Sequence, residues 1–380
     1  MNAIGMYIFG GSQTIGHLLE GWKIDTILEM TEDMPNQNSY HFIKNYPNIK
    51  VKKPSEYENN DEYLTKLKNT KYDLLFANPP CSGLSSINRN ASADSKINIY
   101  LYKVIEMVKT IEPKVFFIEN APTLTSLGLS ILKDMTKRLQ NYRFLIINDC
   151  AKNHGVSMHR RRTFVIGFNR DYFSQIPAIN DETTKEITSG EILKDIDYTY
   201  NKEFLVDSEQ DLFKLYDQIK PGDSIFRTYA ENGCDIDTLP DKIKTSVKTM
   251  RTRLENGRNA WDKSPCRMSV DSKFPSFTSM TRLIHPTENR DLYLREYAHI
   301  MGYPDDFIFY PECKTNPMQC IAQGVPVNFI RYISKEIMQS FKAKEFLDGD
   351  IVYINQTNPN NIKMCSYTNE EFLDANSILK

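Results

Sequence analysis

The stretch YDLLFANPPCSGLSS, Tyr72 to Ser86, decides how the chain is read. An apolar run enters Asn78-Pro79-Pro80, presents a single Cys81 and leaves through a Gly/Ser turn. The pattern predicts a buried strand ending in an exposed loop, with one thiol where the strand stops. Ligands of open α/β sheets collect at the carboxyl ends of strands. A lone cysteine is otherwise most often a small buried hydrophobe, so the flanking sequence decides its meaning.

Upstream, YIFGGSQTIGHLLEGWKIDTILE (7–29) predicts a short strand ending at Gly10-Gly11 and a helix from about Thr14 to Gly21. A second strand, Ile24–Leu28, ends in Glu29. A glycine turn opens backbone N–H groups to a ligand. An acid after the next strand can accept from ribose hydroxyls, the pairing used in adenosine-cofactor sites. Residues 37–70 are polar and predict a helix and a loop.

Downstream, residues 87–95 (INRNASADS) read as a polar, mobile loop near the cysteine. Leu101, Val104, Ile105, Val108 and Ile111 form a helical stripe, which Pro113 ends. KVFFI (114–118) predicts a buried strand that delivers Glu119-Asn120 to the same sheet edge as Cys81. A helix at about 129–140 and a strand at 143–148 precede HGVSMHRRRTFVIGF (154–168). Alternation there places Arg160 and Arg162 on one side and Arg161 on the other. The repeated strand-helix-strand order predicts an α/β, doubly wound, Rossmann-like domain.

After Asn169 the pattern breaks into short segments with scattered Pro and Gly, predicting an irregular second domain. AQGVPVNFIRYI (322–333) opens a helix to about Ala343 that packs back on the first domain. The expected division is 1–169 with 318–343, a smaller domain over 170–317, and a polar tail, 344–380, with one strand at Ile351–Ile354.

The 380 residues are 40% hydrophobic and 25% charged, with net charge −2, as in a soluble globular protein without a global basic footprint. Charge is uneven, however. Residues 181–240 carry 6 Lys and Arg against 15 Asp and Glu, and 241–290 carry 11 against 5, which implies one basic face. Lys248, Arg251 and Arg253 lie in that stretch. The seven cysteines form no CxxC pair or zinc-spaced cluster, so no metal is expected and a reducing compartment suits them. No apolar run approaches the ~20 residues that span a bilayer, and the first residues lack signal-peptide features; a cytoplasmic, membrane-free protein is expected.

Pro80-Cys81, Glu119-Asn120, the Arg160/Arg162 pair, Leu294-Arg295-Glu296 and Met301-Gly302-Tyr303-Pro304 together resemble the DNA cytosine-5 methyltransferases. The resemblance covers about 5–170 and 280–343 in the family's order, with the variable target-recognition domain between. It implies S-adenosylmethionine as cofactor, over Phe9, Gly10, Gly11 and Glu29 with Asn78 and Pro79 closing one side. Cys81 would be the nucleophile toward cytosine C6, Glu119 the acid at N3 and the exocyclic amine, and Arg162 the contact to O2. Arg160 joins this catalytic set by supporting the same loop. Double-stranded DNA would be the partner, with Ser82, Lys248, Arg251 and Arg253 facing it. A monomer with a cognate restriction endonuclease is the expected setting.

The sequence departs from the family pattern at four places. The first motif has only Gly10-Gly11, then Gly16, and lacks the acid before Phe9. Ser82 and Met158 stand where Gln is common, and Gly324-Val325-Pro326 where Gly-Asn is common. His285, His299, Trp22 and Trp261 read as packing residues, and Arg295-Glu296 as a structural ion pair or cap. Two alternatives share the scaffold: an RNA (tRNA) cytosine-5 methyltransferase, disfavoured by the length of 170–280, and a catalytically silent DNA-binding relative. A Cys-dependent hydrolase would need a histidine that no motif places beside Cys81.

Overall fold

A computed structural model describes residues 1–32, 39–179, 184–204, 207–257 and 264–378. The first half alternates as expected: β1 (Asn2–Met6), α1 (Ser12–Leu19), β2 (Lys23–Leu28), α2 (Ser39–Asn45), β3 (Lys50–Lys52), α3 (Pro54–Tyr57), α4 (Asp61–Asn69) and β4 (Leu74–Ala77). It continues through α5 (Ile99–Ile111), β5 (Val115–Asn120), α6 (Leu129–Arg138), β6 (Tyr142–Cys150), β7 (Met158–His159) and β8 (Arg161–Asn169). Residues 37–70, expected as one helix and a loop, hold three helices and β3 among those described.

Nine strands form one sheet in the order β3-β2-β1-β4-β5-β8-β6 and then two C-terminal strands. β3, β2, β1, β4 and β5 run parallel, while β8 runs antiparallel to both β5 and β6. Every residue of β4 and β5 is buried, as parallel strands covered on both faces must be. Alternation divides them: Leu74, Phe76 and Phe117 join the layer containing α1, whereas Leu75, Ala77 and Phe116 join the layer containing α5 and α6.

The strand order reverses between β1 and β4, the place where open sheets part their loops and admit ligands. Met6 pairs with Ala77, and Ala77 with Ile118. The glycine turn, the Pro-Cys loop and Glu119 therefore leave the sheet at one level. Antiparallel β8 starts at that same edge, with Asn120 opposite Thr163.

The second half is irregular, with β9 (Ile176–Pro177), α7 (Ser189–Ile192), α8 (Ile225–Glu231), α9 (Asp241–Glu255), β10 (Cys266–Arg267), β11 (Phe274–Pro275), β12 (Leu283–Ile284) and α10 (Leu294–Ile300). A distinct core holds Leu212, Tyr216, Ile225, Tyr229, Ile243, Val247 and Met250. Phe274, Phe277, Leu292 and Tyr297 instead join the α1 layer of the sheet. Trp22 is buried as expected; Trp261 lies outside the described residues. Arg295 and Glu296 are both fully buried but face different partners. Arg295 donates to carbonyls of Tyr200, Pro304 and Phe307, while Glu296 pairs with Arg290 and caps α10 through the Tyr293 amide.

The chain returns through α11 (Pro317–Gln323) and α12 (Val327–Ser340), which packs on α1. His17 and Ser334 meet across that seam at 2.9 Å. Then come β13 (Phe346–Leu347), β14 (Ile351–Asn355), β15 (Lys363–Tyr367) and α13 (Asn369–Asp374). The expected strand at Ile351–Ile354 is present, but the segment is no loose tail. β14 extends the sheet parallel to β6, β15 pairs antiparallel with β14, and Tyr367 and Phe372 enter the α5 layer. β15 is an edge strand with only Tyr367 buried, so it lacked the alternation that marks a strand. Among the described residues no helix is long and apolar enough to cross a membrane.

Candidate active site

Cys81 follows β4 by four residues and stands, half-buried, in a cavity of about 650 Å³. Phe9, Asn78, Pro79, Ser82, Arg160 and Arg162 are among its walls, and Phe277 and Gln323 close it from the second half of the chain. The loop expected to be mobile is tied back: Asn88 Nδ2 donates to the Ser82 carbonyl at 2.9 Å, and the Ser92 amide to the Gly83 carbonyl at 2.9 Å. Ser82 itself stays exposed.

Glu119 opposes Phe164 across β5 and β8, so Arg162, two residues earlier on β8, is its diagonal neighbour. Arg162 Nε lies 2.6 Å from Glu119 Oε1, with the carboxylate buried. The pair meets charge to charge, and neither atom has a well-aligned hydrogen bond within the protein. Both therefore keep an unused bonding direction. Burial pushes the Glu119 carboxyl above its ordinary range, against the pull of Arg162 and Arg160. Burial likewise raises the Cys81 thiol; Arg162 and Arg160 lower it, and Glu119 raises it. The pull of the two arginines is outweighed, first by burial.

Arg160, expected to support this loop, bonds to residues from two distant stretches of chain. Its buried guanidinium donates to Ser276 Oγ at 3.1 Å and to the carbonyls of Phe277 at 3.3 Å, Ala322 at 2.6 Å and Gly324 at 2.6 Å. It ties its own strand to 276–277 and to 322–324, while its Nε keeps no partner within the protein.

The expected cofactor residues surround the switch point. Glu29 is buried at the end of β2, where its carboxylate accepts from the Met30 and Ile8 amides. Burial pushes it up to about 7. Backbone turns tightly here: Tyr7, Phe9 and Gly11 have φ of 67°, 46° and 86°. A Cβ at Gly10 would come within 2.6 Å of the Cys320 carbonyl oxygen, so glycine lets this loop touch α11. Tyr303, quoted in the sequence only as part of a motif, donates its hydroxyl to the Gly10 carbonyl at 3.1 Å. Val325, at one of the departures, donates its amide to Ser12 Oγ at 3.1 Å. Met158, at another, is wholly buried in the α1 layer. An aromatic face, a buried carboxylate and the ends of β1 and β4 fit an adenosine-type sulfonium ligand.

The three cations on α9 are unequal. Lys248 and Arg253 are exposed, but Arg251 donates to the carbonyls of Ala230 at 3.3 Å, Tyr229 at 3.4 Å and Cys234 at 2.9 Å. Arg251 thus links α9 to α8 and the turn after it. None of the three lines the cavity. His285 is buried and accepts from the Glu288 amide at 3.2 Å, in keeping with packing. Among the described residues no His, Cys, Asp and Glu group could hold a metal ion.

The chain is similar to proteins of one kind. It is 25% identical over 299 residues to the type II methyltransferase M.FnuDI of Fusobacterium nucleatum, covering 74% of this chain and 80% of that one. It is 24% identical over 357 residues to the putative type II methyltransferase M.MJ0563P of Methanocaldococcus jannaschii, covering 89% and 99%. A solved putative DNA modification methyltransferase encoded within an E. coli prophage shares the fold, with TM-score 0.62 and 17% identity over 90% of this chain and 99% of that one. The Entamoeba histolytica methyltransferase EhMeth does so with TM-score 0.58 and 14% identity, over 90% and 97%. The model of the C-5 cytosine-specific DNA methylase family matches residues 6–339, and the chain belongs to that family.

Proposed function

We propose that this DNA cytosine-5 methyltransferase works by covalent catalysis on a cytosine extruded from duplex DNA into the Cys81 cavity, with S-adenosylmethionine as methyl donor. The observation that supports the reading is a cavity at the sheet's switch point lined by Cys81 and Arg162, with the buried Glu119 carboxylate against Arg162 at 2.6 Å. C5 of cytosine lies inside the base stack, so the enzyme must take the base out to reach it.

Cytosine C5 is a poor nucleophile. Cys81 Sγ, once its proton has left to water at the cavity mouth, adds to C6; the C5–C6 π pair then becomes available at C5. Phe9, Glu29, Asn78 and Pro79 would hold the cofactor, which would supply an electrophilic methyl to C5 and leave as a neutral thioether. C5 then holds both methyl and hydrogen. Loss of that proton to water re-forms the C5–C6 double bond as the C6–S bond breaks and Cys81 leaves as thiolate.

Glu119 couples the steps. Burial raises its affinity for a proton; once protonated, it donates to cytosine N3 while its other oxygen accepts from the exocyclic amine. In that form it no longer opposes the Cys81 thiolate or neutralises Arg162, whose guanidinium then serves both the thiolate and cytosine O2. Proton retention on Glu119 and thiolate formation at Cys81 thereby favour each other. The type II methyltransferase relatives support a partner endonuclease of the same site specificity.

The test is transfer of labelled methyl from S-adenosylmethionine to duplex DNA and, separately, to tRNA. Label in DNA at cytosine C5, located by bisulfite sequencing, is expected. Label confined to tRNA would replace this reading with the RNA one, and label in neither would remove it.

A further inference from the structure

We propose that Lys152, His159, Arg161 and Lys273 form a basic rim that seats the DNA sugar-phosphate backbone beside the extruded nucleotide. This rests on the duplex-DNA reading above and identifies the surface that does the holding. The four residues come from three stretches of chain that the fold brings together. Along HRRR, side chains alternate: Arg160 and Arg162 turn inward, whereas His159 and Arg161 are exposed at the cavity wall. The Ala151 amide donates to the Arg160 carbonyl at 3.0 Å, which sets Lys152 against this stretch. β7 pairs with β11, placing Phe274 opposite Met158 and Pro275 opposite His159, so Lys273 arrives at the same place.

Among the described residues one carboxylate pairs with this group. Glu186 bridges Lys152 at 3.3 Å and Lys273, and it is half exposed. Arg161 makes no ion pair with any described residue. Three fixed cations around one carboxylate leave a local surplus in a protein of net charge −2. The surplus is felt by its neighbours. The His159 imidazole is pushed down first by burial and then by Lys152 and Lys273, with Arg161 adding to the effect, and Glu186 is held low first by its bond from Lys273. Clustered like charges oppose folding, and a polyanion at the cavity mouth would offset them. The strand carrying Arg162 toward the base thus also carries Arg161 toward the backbone, which ties positioning to chemistry within one residue.

The test measures binding of a fluorescent duplex of arbitrary sequence to the full chain from 50 to 300 mM salt. The Lys152→Ala/Arg161→Ala/Lys273→Ala variant should weaken binding about tenfold or more and flatten the log–log salt slope by up to about 2.7, at about 0.9 for each of three phosphates no longer neutralised. Its KM for DNA should rise more than its kcat falls. Glu186→Gln should do the reverse and tighten binding, because it removes the internal competitor for the lysines. An unchanged slope in the triple variant, or weaker binding by Glu186→Gln, overturns the rim alone if the parent protein methylates DNA. A parent protein that binds no duplex at any salt overturns the rim and the duplex-DNA reading together.

Discussion

At the carboxyl edge of the sheet, Arg160 and Arg162 sit two residues apart; on α9, Arg251 and Arg253 have the same spacing. In each pair one arginine is tied by several carbonyls to other segments of its own fold and the other is not. Arg160 clamps Ser276, Phe277, Ala322 and Gly324, while Arg162 meets Glu119. Arg251 braces Tyr229, Ala230 and Cys234, while Arg253 is exposed. The regions differ in the strength of the fixing. Strand-end charges are buried and set by register, which suits chemistry at one atom. Those on α9 are displayed on a solvated helix, which suits adjustable contact with a polyanion.

The largest effect separating these regions is expected at Cys81. Cys81→Ala should leave no measurable methylation with DNA binding retained; normal turnover would reject the covalent route. Glu119→Gln should lower kcat by roughly 10²–10⁴ without a matching loss of affinity, measured in single-turnover assays. Arg160→Met strips four acceptors of a shared buried donor and should lower stability by roughly 3 kcal/mol in urea unfolding, with cofactor and DNA affinity falling together. A stable variant with lost turnover would make Arg160 a direct participant instead.

A pH measurement sharpens the same contrast. Iodoacetamide reacts with thiolate, so its rate at Cys81 should rise with pH around a midpoint above the ordinary thiol range. Glu119→Gln removes a negative neighbour and should move that midpoint down; Arg162→Met removes a positive one and should move it up. Shifts of opposite sign would contradict the electrostatic account. The smallest effect is expected at Arg251→Ala: about 1 kcal/mol of stability with little change in the salt slope of DNA binding, whereas Lys248→Ala/Arg253→Ala should change slope rather than stability.

The sheet and the Cys81–Glu119–Arg162 group were legible because the signal is local: an apolar strand followed at once by a polar residue. Register then makes neighbouring strand ends meet. A supporting role for Arg160 came from the resemblance, but its partners were not legible, because they lie 116 to 164 residues away and three are backbone carbonyls, which leave no mark in a sequence. Tyr303 was visible only as part of a motif; its bond to Gly10 spans 293 positions. The basic bias of 241–290 pointed to α9, yet the basic side chains of the proposed rim belong to 152, 159, 161 and 273, dispersed along the chain, and β7 and β11 bring His159 and Lys273 together. The thiol environment of Cys81 depends on burial, which composition does not report.

Covalent trapping tests the central claim most directly. The full chain is incubated with S-adenosylmethionine and duplex DNA carrying 5-fluorocytosine, whose C5 fluorine cannot leave as a proton does. A denaturation-resistant complex whose peptide map places the DNA on Cys81, and which disappears in Cys81→Ala, is the predicted result. Absence of an adduct from DNA containing the methylated site, or an adduct on another residue, would contradict it.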